Sequence, residues 1–405
     1  MPIREEIYII SACRTGIGDF GGTLKDVAPS TLGKIVIEEA MKRASVDPGD
    51  VQHVVLGQAI PSEPRDSYIA RIAAVEAGVP IEAPALTVNR LCASGMQAIV
   101  SGAQLIALGE ADIVVSGGAE TMSKSPYVQT SSRWGHKMGD MKVIDAMIGV
   151  LSDPFENYHM GITAENVATR YQISREDQDA LAVESHRRAA KAWEEGRFDS
   201  QIVPVELKTR KGTVEFRSDE HVRGETTLDD MAKLRPAFDK EGSVTAGNAS
   251  GINDGAAALV LASRSAIEAK GLVPMARIIS WGYAGVDPAI MGIGPVKAAP
   301  IALERAGLSL ADMDVIEANE AFASQSCAVA RELGLDPAKT NPNGSGISLG
   351  HPVGASGAII TVKLVYELQR IGGRYGLATM CVGGGQGIAI VVENLVNVGG
   401  MEKAA

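Results

Sequence analysis

The chain has 405 residues, 45% of them hydrophobic and 21% charged, with a formal net charge of −11. That length exceeds what one hydrophobic core usually fills, so two or more packed units are expected. The absence of a Lys/Arg tract argues against a nucleic-acid partner, and no apolar run reaches membrane-spanning length. Neither the start, "MPIREEIYII", nor the end, "MEKAA", reads as a targeting address, so the expectation is a soluble protein of the cytoplasm.

Strand-like and helix-like segments alternate along the chain. The amphipathic "TLGKIVIEEAMKRA" comes first, then "TVNRLCASGMQAI", read as strand, tight turn and helix, then the strand-like "DIVVSGG". Residues 121–249 are more polar. They hold "SSRWGHKMGD", a helical stretch expected from Thr163 to Glu195, and the charged "ELKTRKGTVEFRSDEHVRGETT". The chain returns through "GNASGINDGAAALVLAS" into a strand, followed by "AAPIALERAG", "MDVIEA", an apolar helix over 358–368, "GLATM" and "GIAIVVE". Such alternation argues for layered α/β sheets.

The two ends of this series resemble each other. A shift of 262 positions lays Ala302, Arg305, Ala306 and Asp312 over Ala40, Arg43, Ala44 and Asp50, and "GASG" (354–357) over "CASG" (92–95). "IIS" recurs at 9–11 and 278–280. Several matches in one order indicate a duplication. The expected organisation is a first core unit of 1–120 with 250–273, an inserted loop domain of 121–249, and a second core unit of 274–405.

The four cysteines (Cys13, Cys92, Cys327, Cys381) form no C-x-x-C pair and the six histidines no zinc spacing. Cys92 falls near a helix start, where the dipole and free N–H groups are expected to lower its pKa; a buried, inert cysteine is the commoner fate. His351 sits in the Gly/Ser-rich "NGSGISLGHPVGASGA", the counterpart of the segment before Cys92. The duplication would bring the two helix starts together, with an imidazole beside the thiol; a structural turn histidine is the alternative. Cys381 precedes Gly383-Gly384-Gly385, whose N–H groups could cradle an oxyanion, or it is a small core residue. Asn319 in "EANEAF" is either an amide donor to a carbonyl or water, or a turn asparagine. Together the set suits acyl transfer.

With "NRLCASG", "GNASGINDGAAA", "NEAFA", "GHPVGASGA" and "CVGGGQG" in one order over nearly its whole length, the chain resembles the thiolases. The resemblance implies two βαβαβαββ halves in a five-layered αβαβα core with an inserted loop domain. It implies Cys92 as the acylated nucleophile, His351 as its activator, Asn319 as the holder of a water in an oxyanion site, and Cys381 as the acid/base at the α-carbon. The Cys92 and Gly383 N–H groups would form a second oxyanion hole. Coenzyme A would be substrate, with no permanently bound cofactor. Ser250 would meet its pantetheine arm and Arg223 its adenine nucleotide, with Leu151, Phe238 and Ala246 also in contact. His159 and Met160 of "NYHMG" resemble the acetoacetyl-CoA type, and Met291 and Phe322 would wall a short acyl pocket. The segment around 125–141 resembles a tetramerisation loop, implying a dimer of dimers. Departures from the family pattern are Gln386 where a methionine is expected, Asp230 in place of a serine, and Arg133-Trp134.

Rival readings are a broader-range 3-ketoacyl-CoA thiolase, a decarboxylating ketoacyl synthase, a non-catalytic acyl-CoA-binding relative and a cysteine hydrolase. The second cysteine argues against the synthase, and the presence of both nucleophile and base against a binding protein.

Overall fold

The computed structural model describes residues 5–210 and 212–396. The first four residues and the last nine, on which the targeting expectations partly rest, lie outside that range. The principal strands are β1 (Ile7–Thr15), β2 (His53–Gly57), β3 (Ala85–Val88), β4 (Ile113–Thr121), β5 (Asn253–Ser263), β6 (Ala276–Gly285), β7 (Val315–Ala318), β8 (Tyr375–Val382) and β9 (Gln386–Asn394). They lie in one sheet in the order β7-β8-β9-β6-β1-β5-β4-β2-β3.

The duplication is visible in this order. Around β1, the β1–β5 and β5–β4 pairs are antiparallel and β4–β2 is parallel. Around β6, the β6–β9 and β9–β8 pairs are antiparallel and β8–β7 is parallel. The halves join where Ile7–Ile9 of β1 run antiparallel to Ala276–Ile278 of β6. Both copies of "IIS" carry a register shift. In both, the serine hydroxyl donates to a helix carbonyl at 2.6 Å, Ser11 to Ala40 and Ser280 to Ala302, and these two alanines are equivalent in the repeat.

Helices α1 (Pro29–Ala44) and α5 (Gly294–Ala306) cover the outer faces of the two half-sheets. Helices α2 (Ser94–Ala107) and α7 (Val353–Ile371) are sandwiched between them, and α6 (Ala323–Leu333) follows β7. This is the five-layered αβαβα arrangement. It explains why β5 is buried along its whole length and why α7 is apolar almost all round: each has protein on both sides. Lys363 on α7 is accommodated there by donating to Glu317 at 2.7 Å and to the Gly344 carbonyl at 2.6 Å.

The second half departs from the first at one strand. The counterpart of β3 shrinks to a single bridge between Ile316 and Thr340. Asn341, at φ +47°, takes over the pairing: its side chain accepts from the Ala318 N–H at 2.9 Å and donates to the Ala318 carbonyl at 2.7 Å.

Thr121, the last residue of β4, pairs with Asp254 on β5, so residues 122–252 leave and rejoin the sheet on adjacent strands. The single helix expected over Thr163–Glu195 is in fact two, α3 (Met160–Arg170) and α4 (Arg175–Glu194). Gln172 turns left-handed at φ +52°, and Ser174 caps α4 by accepting from the Asp177 N–H at 3.0 Å. The excursion is tied down by a fully buried ion pair, Arg14 to Asp219 at 2.8 Å.

Candidate active site

Cys92 sits in the turn between β3 and α2. The Asn89 side chain accepts from the Leu91 N–H at 2.9 Å, which holds Leu91 at φ +47°. The Ser94 hydroxyl accepts from the Arg90 N–H at 2.9 Å and donates to the Leu91 carbonyl at 2.6 Å. The thiol precedes the first helical residue by two positions. The expected fall in its pKa does not occur: burial pushes it up to about 11, outweighing the Gly383 and Cys92 N–H groups that favour thiolate. At neutral pH it is a thiol that needs a base.

The helix that follows His351 crosses α2, and Val353, two residues past the histidine, belongs to the apolar cluster against which Cys92 packs. A Cβ on Gly95 would lie 2.7 Å from the Ala358 N, and one on Gly357 would collide with the Met96 backbone. Only glycines allow the two helices so close, and these two are equivalent in the repeat. Burial lowers the His351 pKa to about 4, so the ring is neutral. Its tautomer follows from its neighbours. The Ser356 hydroxyl lies 2.9 Å from the Pro352 carbonyl and 2.5 Å from His351 Nδ1. Both contacts are hydrogen bonds when the hydroxyl donates to the carbonyl and accepts from Nδ1–H, which assigns the ring proton to Nδ1. Nε2 is buried with no protein partner, and carries a free lone pair. Asn253 accepts from the His351 N–H at 2.8 Å and fixes the loop.

Cys381 lies next to the end of β8, opposite Gly387. Burial and then the neighbouring Cys92 raise its pKa, which puts the two thiols within electrostatic reach of each other. It packs with Met160, Phe238, Met291 and Phe322. Gly383 runs between the loops: a Cβ there would stand 3.0 Å from Met160 Cε and 3.1 Å from Leu91 Cδ1. All four cysteines are free.

Asn319 follows β7. Its N–H donates to the Thr379 carbonyl at 3.0 Å, while Nδ2 is buried without a partner. It borders a cavity of ≈ 10 Å³ shared with Ser345, Gly346, Gly350 and Ser356, room for about one water.

The other expected residues fall into two groups. One surrounds the thiols. His159 caps α3 by accepting from the Gly161 N–H at 3.0 Å and stacks on Phe238 at 4.6 Å, and Phe238 meets Phe322 edge-on at 6.2 Å. Leu151 accepts from the Met160 N–H at 2.7 Å and joins the apolar cluster that includes Cys92. The Ser250 N–H donates to Ala321 at 2.9 Å, bringing the "NASG" loop against "NEAF". The second group, Arg223 and Ala246, lines a separate cavity of ≈ 450 Å³ with His186, His221, Asp230 and Met231.

Several residues here had no signal in the sequence. Glu120 is fully buried at the end of β4 and accepts from Ala59 N at 2.8 Å, Ile60 N at 3.2 Å and Gly354 N at 2.8 Å. It thereby joins the first half to the start of α7, three residues past His351, and burial raises its pKa to about 8. Ser356 and Asn253 lay inside quoted motifs, but nothing in the spacing marked them as partners of His351. His186, within the expected helical stretch, accepts from the Arg223 N–H at 3.2 Å, and nothing in the sequence marks it.

A duplicated α/β fold whose equivalent helices meet beside two thiols and a neutral imidazole is equipped for acyl transfer. Comparison with known families agrees. Residues 7–265 match the thiolase N-terminal domain and residues 272–394 the thiolase C-terminal domain. The chain belongs to the thiolase family of acyltransferases. It is 62% identical to the beta-ketothiolase BktB of Cupriavidus necator, over 97% of this chain and 100% of that one. It is 51% identical to the acetyl-CoA acetyltransferase of Shinella zoogloeoides, over 96% and 98%. Among solved structures, human mitochondrial 3-ketoacyl-CoA thiolase in complex with CoA superposes with a TM-score of 0.95 at 44% identity, over 98% and 100%.

Proposed function

We propose that this chain is an acetyl-CoA C-acetyltransferase, catalysing the reversible condensation of two acetyl-CoA to acetoacetyl-CoA and coenzyme A through an acyl-Cys92 intermediate. The observation that carries it is that His351, whose Nε2 is buried without a partner, lies two residues before Val353, which shares an apolar cluster with Cys92. His351 takes the Cys92 proton, the thiolate attacks the thioester carbonyl, and the Cys92 and Gly383 N–H groups hold the oxyanion. Coenzyme A leaves with the Cys381 proton, while the Cys92 proton stays on His351. The Cys381 thiolate then removes an α-proton from the second acetyl-CoA, and the enolate oxygen is held by Asn319 through a water and by the protonated His351. Attack on the acyl-enzyme releases acetoacetyl-CoA, and the departing Cys92 thiolate recovers its proton from His351.

The neighbour's complex with CoA supports coenzyme A as substrate. Ser250, His159, Met160, Leu151, Phe238, Met291 and Phe322 would contact its pantetheine and acyl parts, and Arg223 and Ala246 its nucleotide. Residues 121–249 would act as the loop domain that carries it, between core units 1–120 with 250–273 and 274–405. Trp134 and Met138, each 92% exposed, sit on the 125–141 segment and support a homotetramer. No described helix is long and apolar enough to cross a membrane, which fits a cytoplasmic enzyme. A broader 3-ketoacyl range is the second reading, favoured by the beta-ketothiolase relative and by two adaptable methionines at the acyl site.

The test is loss of acetoacetyl-CoA with and without free coenzyme A, by wild type and Cys92→Ala. Loss that needs coenzyme A, yields acetyl-CoA and vanishes in the variant upholds the proposal. No loss with coenzyme A present refutes it.

A further inference from the structure

Arg90 joins the two thiol-bearing loops. Its backbone belongs to the Cys92 turn, where its N–H donates to Ser94 and its carbonyl accepts from Ala93 at 3.0 Å. Its side chain crosses to the other half: Nη1 donates to Gln386 Oε1 at 3.1 Å, and the guanidinium lies 5.1 Å over the Tyr283 ring. Gln386 pairs with Val382, the residue after Cys381, and with Gly285 at the end of β6. The Tyr283 hydroxyl accepts from Gln104 of α2 at 3.4 Å, which closes a ring of contacts back to the helix that Cys92 precedes. Arg90 Nε is buried and has no partner, so Gln386 and the ring face hold this cation. Gln386 supplies an acceptor that an apolar side chain at this position would not.

We propose that Arg90 is a positioning residue: clasped by Gln386 and Tyr283, it fixes the turn carrying Cys92 against the hairpin carrying Cys381. The inference rests on the reading of these thiols as acyl acceptor and proton carrier. In thiolysis Cys92 attacks a carbonyl carbon while Cys381 protonates the α-carbon bonded to it, so the separation of the two thiols enters the rate and hardly enters substrate affinity.

The test is steady-state thiolysis of acetoacetyl-CoA by Gln386→Met, Arg90→Ala, the double variant and Gln386→Glu, each checked for a native melting transition. Gln386→Met, at a partly exposed position, keeps the test open should Arg90→Ala not fold. The expected result is a kcat about tenfold lower in Gln386→Met with KM within about twofold. The double variant should be no worse than the worse single one, and Gln386→Glu, which restores an acceptor, should recover most of the rate. An unchanged kcat, a loss confined to KM, or additive losses would overturn the clasp. If the wild type itself shows no thiolysis, the functional reading falls and this inference with it.

Discussion

Gly95 of α2 and Gly357 of α7 occupy equivalent places in the two halves and mark the point where these helices cross, a Cβ on Gly95 reaching 2.7 Å from the Ala358 N. The contact is made by backbone, so it cannot yield to a side chain. Gly357→Ala should therefore push the helices apart, lower stability by about 2 kcal/mol, and slow turnover by displacing His351 from Cys92. Thermal melting alongside kcat checks this. An unchanged melting temperature with full activity would mean that the crossing is looser than described.

His351 depends on Ser356 for its tautomer. Ser356→Ala removes the acceptor of the Nδ1 proton and lets the ring turn or exchange tautomers, so kcat should fall about tenfold to a hundredfold with little change in KM. The measurement is steady-state kinetics of the purified variant, with Ser356→Thr expected to retain more of the rate.

The pH dependence has a definite sign. Burial holds His351 near 4, below the ordinary histidine value of 6.5. Its base form is lost only as pH falls through about 4, so the acid limb of kcat/KM from this group should lie well below pH 6. The unfolded chain takes up this proton near 6.5 and the folded one does not, so the histidine's contribution to stability is full above 6.5 and declines as pH falls towards 4. An acid limb at or above 6.5 would show that a different group is the base, or that substrate changes its surroundings.

Both oxygens of Glu120 accept backbone N–H groups. Where the carboxyl is ionised, above about pH 8, Glu120→Gln would turn an amide NH₂ against one of those donors and leave it unpaired in the interior, costing about 1–3 kcal/mol. Denaturant unfolding should show the loss, together with a lower kcat because Gly354 begins the helix that follows His351. A variant as stable as wild type would mean that a buried water or a shifted backbone replaces the lost bond.

Much of this was legible in the sequence. The repeat was strong enough to make Ala40 and Ala302 equivalent and to predict the meeting of the two helix starts, because a duplicated fold imposes its symmetry on the chain. Local capping was also written there, as the two halves of the inserted helix show: Ser174 and Asp177 form a capping box that periodicity alone passes over. What could not be read was burial. Cys92 stands near a helix N-terminus, as its spacing suggested, yet desolvation outweighs the nearby N–H groups and raises its pKa, a balance set by side chains distant in sequence such as Met147 and Val353. The same holds for Glu120, an acid among small residues whose three partners come from two separate loops.

The central claim is that Cys92 carries the acyl group. The most direct measurement is mass spectrometry of peptides from Cys381→Ala protein quenched after exposure to acetyl-CoA, since that variant should accept the acyl group and fail to pass it on. The account predicts one acetyl group, on the peptide containing Cys92, removed when coenzyme A is added back slowly or not at all, and absent from Cys92→Ala. An acetyl group on another residue, or none on Cys92 in protein that turns over acetoacetyl-CoA, would contradict it.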